Sequence, residues 1–349
     1  MQNPLFGDAD KPAKKTGKIV EPAIIDPALI ELAQALPAHL RLGTSSWNYP
    51  GWDGLVWNGE YAETNLSRHG LAAYAQHPLF RTVSIDRSFY RALNVSQFAE
   101  YAAQVGQDFR FVVKAPSLVT DALVRDETGR GMRQNPNFLN PEQAVQTFVE
   151  PALEGLKHRL GALVFQISPL PTAWLGQMPK VIDHLHALLK AIPNLKNTAP
   201  DGVVAVEVRD PQWLCPQFVD ALRDTGATYC MGLHAKMPRI AEQLPILRAL
   251  WPGPLVCRWN LNPIHGAYGY EDAQDAYSPY NKILDPDPET RAALVRVIAG
   301  TANAGQNVFV TLSNKAEGSA PLSVIELARA IQQKNIFDST TLETNLRSK

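Results

Sequence analysis

Eight short β-like runs, at 41–47, 82–86, 109–115, 162–168, 203–209, 228–233, 255–260 and 307–314, alternate with helix-period segments along most of the chain. The helical segments span 66–76, 95–104, 141–160, 178–191, 211–225, 240–250, 288–304 and 322–334. This alternation constrains the fold more than any other feature, because parallel neighbours need a crossover of about a dozen residues and a helix supplies it. Eight such units are the number of a closed (β/α)₈ barrel. An open doubly wound sheet is the alternative, but the first run continues into Gly43-Thr44-Ser45-Ser46-Trp47 instead of its usual glycine fingerprint. The fold class read from the sequence is α/β, a TIM-type barrel with long loops over its C-terminal face. A flexible N-terminal tail is expected over 1–26, one barrel domain over 27–335 and a C-terminal tail over 336–349.

In such a barrel the chemistry sits at the C-terminal ends of the strands. The fifth run, VVAVEVR, is the sharpest case: period two puts Ala205, Glu207 and Arg209 on one face, with Val204, Val206 and Val208 on the other. A carboxylate and a guanidinium are thus aimed together into the mouth, either as an ion pair closing the barrel top or as acid-base and anion-holding groups. Glu207→Gln is expected to keep the fold and remove ligand binding. Arg258 and Asn260 share a face of the seventh run, opposite Cys257 and Trp259. Lys114 ends the third run and is expected to pair with Glu207 or Asp86 or to bind a substrate anion. Asp86, Gln166 and Asn314 end the second, fourth and eighth.

Aromatic side chains near these ends, Trp47, Tyr49, Tyr90 and Tyr268, are candidates to stack on a sugar or base, or simply to pack over the barrel. Two insertions, 117–140 with Arg125, Arg130 and Arg133 and 261–287 with several tyrosines, have the length of lids or binding loops. The turn from Asn314 to Gly318, before a helix near Pro321, is a candidate anion nest. His69, His77 and His158 are expected at the surface.

Lys+Arg 33 against Asp+Glu 34 leaves a net charge of −1, which does not favour nucleic acid held by bulk electrostatics. The three cysteines form no C-x-x-C pair, and no H-E-x-x-H or comparable metal spacing occurs. No cofactor is expected, with a divalent metal left open. The partner expected is a small, anionic molecule; no apolar run reaches the roughly 18 residues of a membrane span, and a cytoplasmic location follows as the default.

At the strand ends the chain resembles the YecE-like family of TIM-barrel proteins, in six pieces in the order a barrel requires. Residues 43–52, GTSSWNYPGW, look like the family's G-T-S-G-W-x-Y-x-x-W, and Ser88-Phe89-Tyr90-Arg91 resembles its S/T-F-Y-R. FVVKAP at 111–116 is similar to F-x-x-K-x-P, FQISP at 165–169 to F-Q-x-P-P, AVEVR at 205–209 to A-V-E-F-R, and the stretch 313–321 to N-N-x-x-x-G-x-A-P. The resemblance spans about 41–331 and implies the barrel and the position of its site, not a reaction. Four positions depart from the family pattern. Ser84 and Asp86 stand where it reads Glu and Asn, Thr120-Asp121 replaces Thr-His, and Ser46 replaces the second Gly of the opening motif.

Two functions compete on these grounds. One is a hydrolase-type enzyme for a small anionic, phosphate- or sugar-containing substrate. Glu207, Asp86 and Lys114 would be its catalytic groups; Trp47, Tyr49, Tyr90, Gln166, Arg209, Arg258, Asn260, Tyr268 and Asn314 would bind substrate. The other is a non-catalytic barrel holding a ligand or nucleic acid. A metal-dependent nuclease ranks last, because only Asp86, Glu207, His234 and His265 could supply ligands.

Overall fold

The computed structural model describes residues 19–126 and 128–347, with side chains to Lys334. Eight parallel strands close into a barrel in sequence order. They are β1 (Leu40–Thr44), β2 (Phe80–Ile85), β3 (Arg110–Lys114), β4 (Leu160–Gln166), β5 (Val203–Glu207), β6 (Thr228–Leu233), β7 (Leu255–Trp259) and β8 (Val308–Leu312). β8 pairs with β1, which removes both sheet edges.

Alternation along each strand divides two hydrophobic regions. Val112, Ala162, Val164, Val203, Ala205, Cys230, Val256 and Phe309 pack together inside the barrel. Their neighbours Val113, Leu163, Phe165, Val206, Tyr229, Cys257 and Val310 pack outward against the helices. An inward face of Val and Ala cannot solvate a charge, so polar groups appear only at the two ends of this column. At the N-terminal end Asp201 accepts from Arg41 at 2.8 Å, from Arg110 at 2.8 Å and from Asn307 at 3.3 Å.

The long insertions carry structure of their own. The segment 117–140 contains an antiparallel hairpin, Leu123–Arg125 with Gly131–Gln134, anchored by the Asp121–Arg125 ion pair at 2.7 Å. The segment 261–287 contains the helix Tyr270–Tyr277. Several boundaries move. Of the expected N-terminal tail, 1–18 lie outside the described residues, but Val20 and Ala23 are buried and the Ala23 N–H donates to the Val56 carbonyl at 3.0 Å. This stretch is docked because it has backbone partners to pair with. The last helix runs Ala320–Arg347, through most of the expected C-terminal tail, in a stretch with no Gly or Pro after Pro321 to stop it. His77, expected at the surface, is buried and stacked on Phe80 at 3.9 Å, and burial pushes its pKa down to about 4. Among the described residues no helix is long and apolar enough to cross a membrane.

Candidate functional site

The C-terminal end of the inward column is a cluster of charges built on alternate strands. Glu207, the last residue of β5, is fully buried. Its carboxylate accepts from Arg209, from Arg258 Nη1 at 2.7 Å and from Asn260 Nδ2 at 3.1 Å. Burial alone would push its pKa up, but the two guanidiniums outweigh burial and hold it down at about 2. Arg258 reaches across the mouth, giving its Nη2 to Asp86 Oδ2 at 2.6 Å. Ser84 donates its hydroxyl to the other oxygen of Asp86 at 2.6 Å. Arg209 also donates to Gln166 Oε1 at 3.2 Å, so β4, β5 and β7 are tied together through side chains.

Lys114 is placed differently. Neither Glu207 nor Asp86 forms the expected ion pair with it. The half-buried lysine ends β3 with its Nζ 3.6 Å from the centre of the Phe89 ring. Burial lowers its pKa to about 7, with the Asp86 charge opposing and Arg258 assisting. The charge balance explains this. Arg209 and Arg258 match Glu207 and Asp86, so a protonated Lys114 is surplus positive charge in a confined site. Such a charge leaves as a proton or is met by an anion.

The expected roles shift accordingly. Both oxygens of Glu207 are occupied by cations and an amide, so it holds Arg209 and Arg258 in place. Gln166 and Asn260 likewise spend a polar atom on this cluster. Trp47 is buried and edge-on to Tyr101 at 5.4 Å, so it belongs to the core and not to a ligand surface. Tyr49 packs between Trp52 at 4.9 Å and Tyr280 at 5.3 Å. Tyr90 and Tyr268 remain exposed, Tyr268 beneath Lys236 at 4.2 Å.

Asn314 caps the last helix, its Oδ1 accepting from the Ala320 N–H at 2.8 Å and from Trp52 Nε1 at 3.2 Å, while its buried Nδ2 has no partner. The Gly318 N–H goes to the Asn314 carbonyl at 2.8 Å. At φ 114° Gly318 admits the backbone of Lys282, whose carbonyl would lie 2.5 Å from an added Cβ. The expected anion nest is therefore filled from within the chain. Among the described residues no group of three or more His, Cys, Asp and Glu side chains converges as a metal site.

A family model described as a protein of unknown function, DUF72, matches residues 41–346. The chain belongs to the DUF72 family. The YecE-like resemblance in the sequence is thus membership, shared over nearly the whole barrel. A DUF72 protein of Enterococcus faecalis aligns with a TM-score of 0.55 at 18% identity, covering 84% of this chain and 95% of its own. A DUF72 protein of Thermotoga maritima aligns with a TM-score of 0.49 at 17% identity, covering 86% and 99%. At 18% identity the likeness to the Enterococcus faecalis protein speaks for the fold alone. No curated protein matches the chain.

Two residues of this DUF72 barrel matter to the site but were not among the site candidates from sequence, Phe89 appearing there only as part of the Ser88-Phe89-Tyr90-Arg91 motif. Phe89 lies in the tight turn Arg87–Phe89 after β2, where no strand or helix period foretells its direction, yet it and not Tyr90 meets the lysine. Gly232 lies on β6 between Glu207 and Arg258. A Cβ there would stand 2.9 Å from Glu207 Oε1 and 3.0 Å from Arg209 Nη1. A lone glycine inside an apolar strand was the available signal, since it marks close approach.

Proposed function

We propose that the protein is an enzyme acting at the C-terminal barrel mouth on a small anionic, phosphate- or sugar-containing substrate, with Lys114 as the group that moves a proton. The observation that carries this reading is the charge imbalance: two guanidiniums matched by two carboxylates, beside a lysine with no carboxylate partner and a pKa of about 7. A general acid or base works best when its pKa lies near the working pH, which suits Lys114 better than Glu207, whose carboxyl two guanidiniums hold well below the usual range against its burial. An anionic substrate would complete the balance that the side chains leave open, and its charge would raise the lysine's affinity for its proton. Asp86, whose side chain is 33% exposed, is the second group within the site's reach of solvent. Hydrolysis is the reaction to screen first, because a neutral amine can activate water.

The test is a screen against phosphoester and glycoside substrates with Lys114→Met as control. Turnover lost in that variant, with a wild-type rate rising through pH about 7, supports the reading. Turnover that survives the substitution overturns it. Binding without turnover of any substrate favours the non-catalytic barrel, a reading to which the locked state of Glu207 already lends weight.

A further inference from the structure

We propose that the substrate carries an aldehyde or ketone beside its anionic group, and that Lys114 holds it as a protonated imine. This rests on the reading that the mouth takes a small anionic substrate; it narrows the class of that substrate and gives Lys114 a covalent role in place of proton transfer.

Three placements support it. First, Arg209 and Arg258 are committed to carboxylates, whereas Lys114 makes no ion pair, so its nitrogen is not tied up by an acceptor. Second, Val112 shares the inward face with Lys114 and Val164 pairs with it on β4, apolar surroundings in which a neutral amine is at less of a disadvantage than an ammonium, although the Phe89 ring at 3.6 Å offsets part of this by its attraction for a cation. The pKa of about 7 agrees with this, making a large fraction of the lysine nucleophilic at neutral pH. Third, Asp86 is the carboxylate whose charge acts most strongly on Lys114, yet the two form no ion pair, so its oxygens are bonded to Arg258 and Ser84 and not to the amine.

The step balances without an oxidant or reductant. The lone pair of the neutral amine forms a C–N bond to the carbonyl carbon while the C–O π pair moves to oxygen, which takes up the proton lost by nitrogen. The nitrogen lone pair of this carbinolamine then forms the C=N bond as the hydroxyl leaves with a second proton as water. Ammonium plus carbonyl gives iminium plus one water, with charge conserved. Asp86, through a water, is the group placed to relay these protons.

The experiment incubates the full chain with glyceraldehyde 3-phosphate and sodium cyanoborohydride near neutral pH and maps the reduced adducts by peptide mass spectrometry. A parallel reaction uses glyceraldehyde, and inorganic phosphate serves as competitor and as a calorimetric ligand. The expected result is an adduct at Lys114 roughly a hundred times faster than at the exposed Lys190, with a rate rising through pH about 7. Phosphate should slow it, and glyceraldehyde should react more slowly. Lys114→Met should lose that adduct alone. Because the pattern is read on the unaltered protein, it does not depend on the variant folding.

If phosphate binds but Lys114 labels no faster than Lys190, the imine is overturned and the anionic reading stands. If Lys114 labels fast but indifferently to the phosphate group or to competitor, the imine stands and the anionic reading falls. Neither binding nor fast labelling overturns both.

Discussion

At the N-terminal end of the barrel Asp201 gathers Arg41, Arg110 and Asn307; at the C-terminal end Glu207 gathers Arg209, Arg258 and Asn260. The two clusters share their chemistry and differ in access. The Asp201 side chain is 27% exposed and that of Glu207 is not exposed at all. Two arginines on one partly wetted aspartate leave a surplus charge that water can screen. At the mouth, where Glu207 and Arg258 are sealed from water although Asp86 is not, the arginines are matched one for one by Glu207 and Asp86, and the surplus falls on a lysine that can give up its proton, which arginine cannot. The same pair of residue types therefore closes one end of the barrel and equips the other.

Removing the carboxylate at each end tests this contrast most severely. Glu207→Gln leaves two guanidiniums facing each other without solvent and should cost about 3–5 kcal/mol in urea denaturation. Asp201→Asn should cost about 1–2 kcal/mol, because water reaches the site. Equal losses would erase the distinction between the ends. The same measurement tests the expectation from sequence that Glu207→Gln keeps the fold, since Arg209 depends on that carboxylate and Arg258 shares it with Asp86.

A smaller loss is expected from Gly232→Ala, whose Cβ would press on Glu207 and Arg209. A cost of about 1–3 kcal/mol is expected, with no counterpart for an alanine at the open, helix-terminating Gly305 beyond its backbone strain at φ 72°. A crystal structure of the Gly232→Ala variant with an undisturbed Glu207 cluster would show that the mouth is less tightly packed than described.

A further effect concerns pH. Lys114 has a pKa near 7 when folded and 10.5 as an ordinary lysine, so between these values the unfolded chain holds more protons. Above pH 10.5 the amine is neutral in both states and costs nothing, and as pH falls toward about 7 the folded chain still holds it neutral while the unfolded chain protonates it, so the cost to folding grows. The wild type should therefore gain stability relative to Lys114→Met as pH rises through that window, and the variant should be the more stable of the two below it. Denaturation midpoints that run parallel across the window would mean that Lys114 is paired or solvated.

How far the site was legible follows from the range of the signals. Glu207, Arg209, Arg258, Asn260 and Lys114 could be aimed inward from sequence because strand period is a property of adjacent residues. The direction of Phe89 could not, because it sits in a tight turn. Trp47 and Tyr49 look the same as Tyr90 and Tyr268 in sequence, since an aromatic ring serves a core or a ligand equally well. Only their neighbours distinguish them: Tyr101 against Trp47, and Trp52 and Tyr280 against Tyr49.

The sequence by itself determined the eightfold strand-helix alternation, the face on which each strand buries its valines and the charged residues at the strand ends. All of these are written in local spacing. Which charge meets which was decided only by closure of the barrel. Arg258 finds Asp86 across 172 residues and Glu207 across 51, and in doing so it spends the carboxylates that Lys114 would otherwise have taken. Coulomb energy depends on separation in space and on the loss of water around each group, and neither exists until β1 and β8 meet.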